Sequence, residues 1–323
     1  MTRASARSAI DRIDRRRPLL GCVPASRLTA PALSVGLAVR NGGEIVRRCI
    51  ESVLSQDFAE LELIVSDNAS DDETVQTVAR YARVDPRVKL SANPVDVGSH
   101  ENMNRVLAAA RGTYFRWISA DDWLEPGCLA AGVRALESQP DAIGATNWFT
   151  IHIAAGLTRC EEYAGEFPTS PDPARRFERM LWFFHAGDAK YDPIYALYRR
   201  DALMRSHRIR PFERTDWLLS AELALTGPIV HVYERLAHRT RDYPVGSQRL
   251  ALRRRLDPVR AKQLPTPPLR LTRELFALAV AADLSEPQLR RCRRALLSFL
   301  AKDVARVNRS RAADVKHQLL AAA

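Results

Sequence analysis

The chain of 323 residues is 46% hydrophobic and 27% charged, which is the composition of a globular protein with a sizeable core. Its formal charge of +11 is confined to the two ends: residues 1–30 hold seven basic and two acidic side chains, residues 251–323 sixteen and six, and the middle is net negative. A negative body without a recognisable binding motif excludes a nucleic-acid-binding function.

Five scattered cysteines (22, 49, 128, 160 and 292) without a CxxC pair speak against a zinc site or a disulfide framework, and for reduced thiols in a cytoplasmic protein. The longest nearly apolar run, Leu275 to Ala282, is too short to cross a bilayer, which takes about 20 residues. The first thirty residues lack the apolar core of a signal peptide and read as a disordered basic arm around Arg15-Arg16-Arg17-Pro18. Basic ends of this kind suit either peripheral contact with an anionic membrane surface, at about 1 kcal/mol per residue near it, or a solvated, partly disordered surface.

From Leu33 the pattern is that of alternating strands and helices. Leu33 to Val39 predicts a buried strand, followed by the turn Asn41-Gly42-Gly43 and an amphipathic helix through Ile45, Cys49, Ile50, Val53 and Leu54. Leu61 to Val65 predicts a second strand, closed by the polar run Ser66 to Asp72, whose side chains cap a helix from Glu73 to Val84. A brief strand at Val88 to Leu90, a helix from Ser99 to Ala110 and a strand from Tyr114 to Ile118 follow. This alternation predicts an α/β protein with a mostly parallel sheet flanked by helices.

Beyond Gly127 come a helix over Leu129 to Ser138, a strand near Ala142 to Phe149, helices at Ala174 to His185 and Thr215 to Thr226, and a late strand at Ile229 to Tyr233. Pro265, Pro267 and Pro268 mark a linker into a helical extension. Its last helix opens at Ser285-Glu286-Pro287 and carries the stripe Leu289, Cys292, Leu296, Leu300, Val304 and Val307, which is expected to pack on the body or a partner. The chain thus divides into a basic arm (1–30), an α/β domain (31–250) and a basic helical extension (251–323).

In open α/β sheets, ligands bind at the carboxyl ends of the strands. Three polar clusters fall there: Arg40-Asn41, Asp67-Asn68 and Asp121-Asp122. Adjacent carboxylates repel unless a cation or donor neutralises them. A hard divalent ion with diphosphate as co-ligand would do so. No GxxxxGK[ST] loop is present, which points to a nucleotide-diphosphate donor whose leaving group the ion stabilises. A nucleotidylyltransferase would want a Lys-containing loop after the first strand, and no Lys precedes Lys89. The seven His are isolated in sequence and read as surface or packing residues.

The segments SVGLAVRNGGEIVRRCIESVLSQ, LELIVSDNASDDET and NPVDVGSHENMNRVLAAARGTYFRWISADDWLEPG occur in order and at matching spacing. Together they resemble the family 2 glycosyltransferases of GT-A fold, nearly continuously from Leu33 to Gly127 and more weakly to Pro244. The resemblance implies a GT-A domain with a helical C-terminal extension and an inverting, metal-dependent transfer from a nucleotide-diphosphate sugar. A UDP-sugar, a glycan or lipid-linked acceptor, and Mg²⁺ or Mn²⁺ are the implied ligands.

Residue by residue, it places Asp121 as metal ligand with Ala120 and Asp122 beside it, and Asp67 on the nucleotide base. Ala38, Val39, Arg40, Glu44 and Asn102 line the nucleotide pocket. Asp216 is placed as catalytic base, with Glu222 a second candidate and the capping of its own helix the structural alternative. Three positions depart from the family pattern: Arg40 replaces an aromatic, Ser119 replaces the first acid of DxD, and Asp96 replaces an asparagine. The first two leave open a catalytically inactive glycosyltransferase-like binding protein.

Overall fold

Strand β1 (Leu33–Val39) is buried along nearly its whole length, and β2 (Leu61–Asp67) and β4 (Tyr114–Ile118) are buried throughout. Strands buried on this scale need cover on both faces, the condition of a parallel sheet, and the polar side chains within them, Glu62 and Arg116, are buried too. In the computed structural model, which describes residues 31–153, 156–186, 193–212, 214–241 and 268–321, these strands are indeed parallel. β3 (Val88–Ala92), β2, β1 and β4 run in that order, with Val39 level with Asp67 and Leu37 level with Ile118. Gly36 sits at the centre of β1, where a Cβ would come within 2.6 Å of Phe115 Cζ. The strand tolerates no side chain at that point.

The sheet continues through β8 (Leu197–Arg199), antiparallel to β4, to β6 (Gly144–Ile153), antiparallel to β8. Beyond it lies β9 (Ile229–Arg241), parallel to β6 with register shifts around Trp148. The two-residue β5 (Trp123–Leu124) pairs antiparallel with the end of β9, and β7 (Thr158–Glu161) pairs with β6. The parallel part of the expected sheet is therefore its first four strands and the β6–β9 pair, joined by antiparallel links.

β9 runs eight residues past the expected Tyr233. Glu234 and Arg235 face solvent there and break the apolar run, while Leu236 and Ala237 remain buried. A strand with one wet face keeps its ladder without keeping an apolar sequence.

Alternate side chains of the sheet feed two cores. Leu33, Val35, Leu37, Leu63 and Val65 pack under α1 (Val46–Leu54), α2 (Thr74–Val84) and α4 (Cys128–Glu137). Ile64, Phe115 and Trp117 point the other way. They meet α3 (Ser99–Ala109), α5 (Pro173–Phe183), α7 (Thr215–Thr226), α8 (Pro268–Ala281) and α9 (Glu286–Ala321) in the second core, with α6 (Arg200–Arg205) at its margin.

The face of α9 that packs is Cys292, Leu296, Phe299 and Asp303, whereas Val304 of the expected stripe is 40% exposed. Among the described residues no helix is long and apolar enough to cross a membrane. The expected basic arm and most of the expected proline linker lie outside the described residues.

Candidate functional site

The carboxyl ends of β1, β2 and β4 bring the first three polar clusters together. Val39 is buried, and its carbonyl accepts from the Asn68 N–H (2.8 Å), while Ala38, one residue back, lies level with Ser66 of β2. The β1–α1 turn is tied to the start of α2. Gly42 and Gly43 N–H groups donate to Thr74 Oγ1, and Gly43 N–H also to Asp72 Oδ2 at 2.9 Å. Asp72 Oδ1 in turn accepts the Thr74 N–H at 3.0 Å from one residue before the cap position, which is Glu73 and not the expected Asp72.

Arg40 lies across this edge with its guanidinium 2.6 Å from Asp96 and 3.2 Å from the Asn68 carbonyl. Asn68 Nδ2 donates to the same Asp96 carboxylate at 2.6 Å. Asp67 is buried, and both of its carboxylate oxygens accept from Ser70, one from the backbone N–H (3.0 Å) and one from the hydroxyl (2.5 Å).

Two of the residues expected to line a nucleotide pocket have other duties. Asn102 is buried and spends its amide inside the fold. Its Oδ1 accepts from Ser66 Oγ (2.6 Å) and Asn93 Nδ2 (2.9 Å), and its Nδ2 donates to the Ser66 carbonyl (2.8 Å), pinning α3 to β2. Glu44 faces α1 and α2, where Arg47 and Thr77 hydrogen-bond its carboxylate. The Arg47 bond, the largest effect, holds its pKa below the ordinary value.

The Asp121-Asp122 pair separates into two unlike carboxylates. Asp122 is buried; its Oδ1 accepts the Thr240 N–H at 3.1 Å, and Arg239 Nε lies 3.5 Å from its Oδ2. The Arg239 guanidinium itself is stacked 4.3 Å over Tyr195. Asp121 is half-buried, with Oδ1 accepting from Ser119 Oγ at 2.5 Å. Its second oxygen meets no protein donor among the described residues. A neutralised neighbour and one free, half-buried oxygen suit a hard cation. Ala120 stands beside the β1–α1 turn, 3.6 Å from where a Cβ on Gly42 would lie. No group of three or more His, Cys, Asp or Glu side chains able to hold a metal occurs among the described residues.

A further layer around Asp121 had no signal in the sequence. Arg48 on α1 reaches towards the Asp121 carbonyl (3.5 Å) and lies 3.4 Å over the Trp123 ring. His238 stacks on Trp123 with ring centroids 4.6 Å apart and 3° between planes. His238 also contacts Glu125 (2.5 Å) and His152 (3.0 Å). Arg48 and His238 lie 190 residues apart, so nothing local in the sequence connects them.

Asp216 belongs to a different element. It stands in the first turn of α7, whose cap residue is Arg214 in the left-handed region (φ 63°), so Asp216 is not the cap. An acidic side chain there is favoured by the helix dipole. Glu222, two turns on, is engaged by His207 at 2.6 Å.

The Glycosyl transferase family 2 model matches residues 34–205. The chain belongs to this family. An uncharacterized glycosyltransferase of Haemophilus influenzae is 29% identical over 183 residues, covering 55% of this chain and 54% of that protein. The GalNAc(5)-diNAcBac-PP-undecaprenol beta-1,3-glucosyltransferase of Campylobacter jejuni is 35% identical over 101 residues, covering 31% and 33%. The chain thus spans between a third and about half the length of these curated relatives. Among solved structures, S. aureus TarS 1–349 in complex with UDP-GlcNAc superposes with a TM-score of 0.62 at 16% identity, covering 84% of this chain and 72% of that one. The fold of this family 2 member is accordingly the GT-A fold, with α8 and α9 added to it. The family match ends before α7 and β9, so Asp216, Arg239 and Thr240 lie outside it.

Proposed function

We propose that the chain is an inverting glycosyltransferase that moves a sugar from a nucleotide-diphosphate sugar, a UDP-sugar first, to an acceptor hydroxyl. The acceptor class we infer is a glycan or lipid-linked saccharide of bacterial cell-surface polysaccharide or glycolipid synthesis. The name of the Campylobacter relative, a transferase acting on an undecaprenol-linked saccharide, supports that class. Peripheral contact with an anionic membrane through the basic ends belongs to the same reading.

The observation that carries it is the division of labour in the Asp121-Asp122 pair at the carboxyl edge of the sheet. Arg239 and Thr240 neutralise one carboxylate and leave the other with an oxygen that meets no donor among the described residues. Such a residue fits Mg²⁺ or Mn²⁺, but one carboxylate fills only part of a shell of about six oxygens. A diphosphate would supply further ligands, so cation and donor are expected to bind together. When bound, the ion neutralises charge on the departing nucleoside diphosphate.

The remaining work falls to the chain's own residues. Arg40, Asp67 and the backbone at Ala38, Val39 and Ala120 would bind and orient the nucleotide. Asp216 would accept the proton of the acceptor hydroxyl as that oxygen attacks the anomeric carbon in one in-line displacement. No covalent enzyme intermediate is required.

The test is a calorimetric titration of the full chain with UDP and with GDP, each with and without Mn²⁺, repeated on Asp121→Ala. The expected result is nucleotide binding that needs both the ion and Asp121. Absence of binding to either nucleotide in the wild type would instead favour a catalytically inactive glycosyltransferase-like binding protein.

A further inference from the structure

Ser119 stands where a second acid would share the cation, so among the described residues Asp121 is the carboxylate this turn offers to it. The Ser119 hydroxyl holds one oxygen of that carboxylate (2.5 Å), and the bonds that fix the turn itself come from far along the chain. Thr240 makes two bonds to the turn: its N–H donates to Asp122 Oδ1 (3.1 Å) and its hydroxyl donates to the Asp121 carbonyl (2.9 Å). Arg239, the preceding residue, faces the other oxygen of Asp122 at 3.5 Å. Just beyond the turn, Trp123 and Leu124 pair with His238 and Ala237 of the same strand. Arg48 approaches the Asp121 carbonyl from α1. The turn is therefore held by its carbonyl and by the neighbouring carboxylate, while the free oxygen of Asp121 is left out of the network.

Resting on the functional reading above, we propose that Thr240 is a positioning residue for cation-dependent donor binding, assisted by Arg239. The Thr240 hydroxyl fixes the peptide between Asp121 and Asp122. Rotation of that peptide would swing the Asp121 carboxylate away from the place where cation and diphosphate meet. Thr240 touches neither ligand; it acts through Asp121. Loss of an outer-shell partner of a metal-binding residue lowers metal affinity about 10–100-fold.

Thr240→Val keeps the shape of the side chain and the backbone N–H to Asp122 but removes the hydroxyl. Thr240→Ser restores the hydroxyl. The experiment compares the two variants with the wild type, all as full chains, by calorimetric titration of UDP with and without Mn²⁺. The free Mn²⁺ signal in electron paramagnetic resonance serves as a second readout, and a thermal melt of each protein accompanies both.

Thr240→Val is expected to weaken Mn²⁺-dependent UDP binding about ten-fold or more. It should leave the melting temperature close to wild type, and Thr240→Ser should recover the loss. Equal Mn²⁺-dependent affinity in wild type and Thr240→Val would overturn the proposal, as would a loss that Thr240→Ser shares. A wild type that itself shows no Mn²⁺-dependent binding of UDP would sink the functional reading, and this proposal with it.

Discussion

Arg40 and Asp96 show what single side chains hide until they are placed. Each departs from the family pattern, and they are 56 positions apart, so nothing in their spacing connects them. In the fold they form one ion pair at 2.6 Å, with Asn68 bonded to both partners. The edge of the Arg40 guanidinium is occupied, which leaves its flat face as the part able to meet a ring.

His231 is a second such residue, one whose isolation in sequence left surface and packing equally open. It lies stacked on Phe167 (4.2 Å, 9°) with Nδ1 2.8 Å from Thr146 Oγ1. Burial lowers its pKa from 6.5 to about 4. The folded value lies below the unfolded one, so on acidification the unfolded chain takes up this proton first. Stability should fall as pH drops from 6.5 towards 4, by up to about 1.4 kcal/mol per pH unit for one proton. Urea midpoints measured across that window should show the slope, and His231→Gln should remove this residue's share of it.

At the scale of elements, the strands that end at the site were legible because they are buried on both faces and therefore mostly apolar, with Glu62 and Arg116 as buried exceptions. Tyr114–Ile118 falls where the pattern puts it, and so does α7. The end of β9 was not legible, because Arg239 and Thr240 look like surface residues until β5 and the Asp121 turn are set against them. For the same reason the sequence could mark Asp121-Asp122 as a pair needing neutralisation but could not say which member the protein neutralises.

The link between α7 and α9 was equally hidden. Asp303 is fully buried in the stripe where only apolar contacts were expected, and its carboxylate takes the Arg214 guanidinium at 2.7 and 2.9 Å. Removing one member of a buried ion pair leaves the other charge uncompensated, at a cost of about 3–5 kcal/mol. Asp303→Ala should lower unfolding free energy by that order in urea titrations. The double variant Arg214→Met, Asp303→Leu should recover most of the loss, because apolar residues of similar volume commonly replace such a pair without penalty. An Asp303→Ala protein as stable as wild type would contradict this.

At the largest scale, the described body beyond residue 30 is a sheet with a core on each face. The helical extension belongs to one of these cores: Leu271, Leu275, Cys292, Leu296 and Phe299 share it with Phe115 and Trp117 of β4. The outer side of α8 and α9 is basic, with Arg273, Arg290, Arg293 and Arg294 turned to solvent. The proposed membrane contact predicts that the full chain floats with anionic vesicles, stays behind with neutral ones, and is released by added salt. Equal recovery from both vesicle types would remove it.

The clamp on the Asp121 turn has a consequence in time as well as in space. Strands β1 to β4 lie within residues 33–118 and can pair as they emerge from the ribosome. The bonds from Thr240 span 118 and 119 residues. A nascent chain must therefore carry the acidic turn unclamped, its two carboxylates still adjacent and unneutralised by β9, while some 120 further residues are added at about 5–20 per second. The order of translation builds the carboxyl edge of β1 and β2 first and clamps the Asp121 turn last.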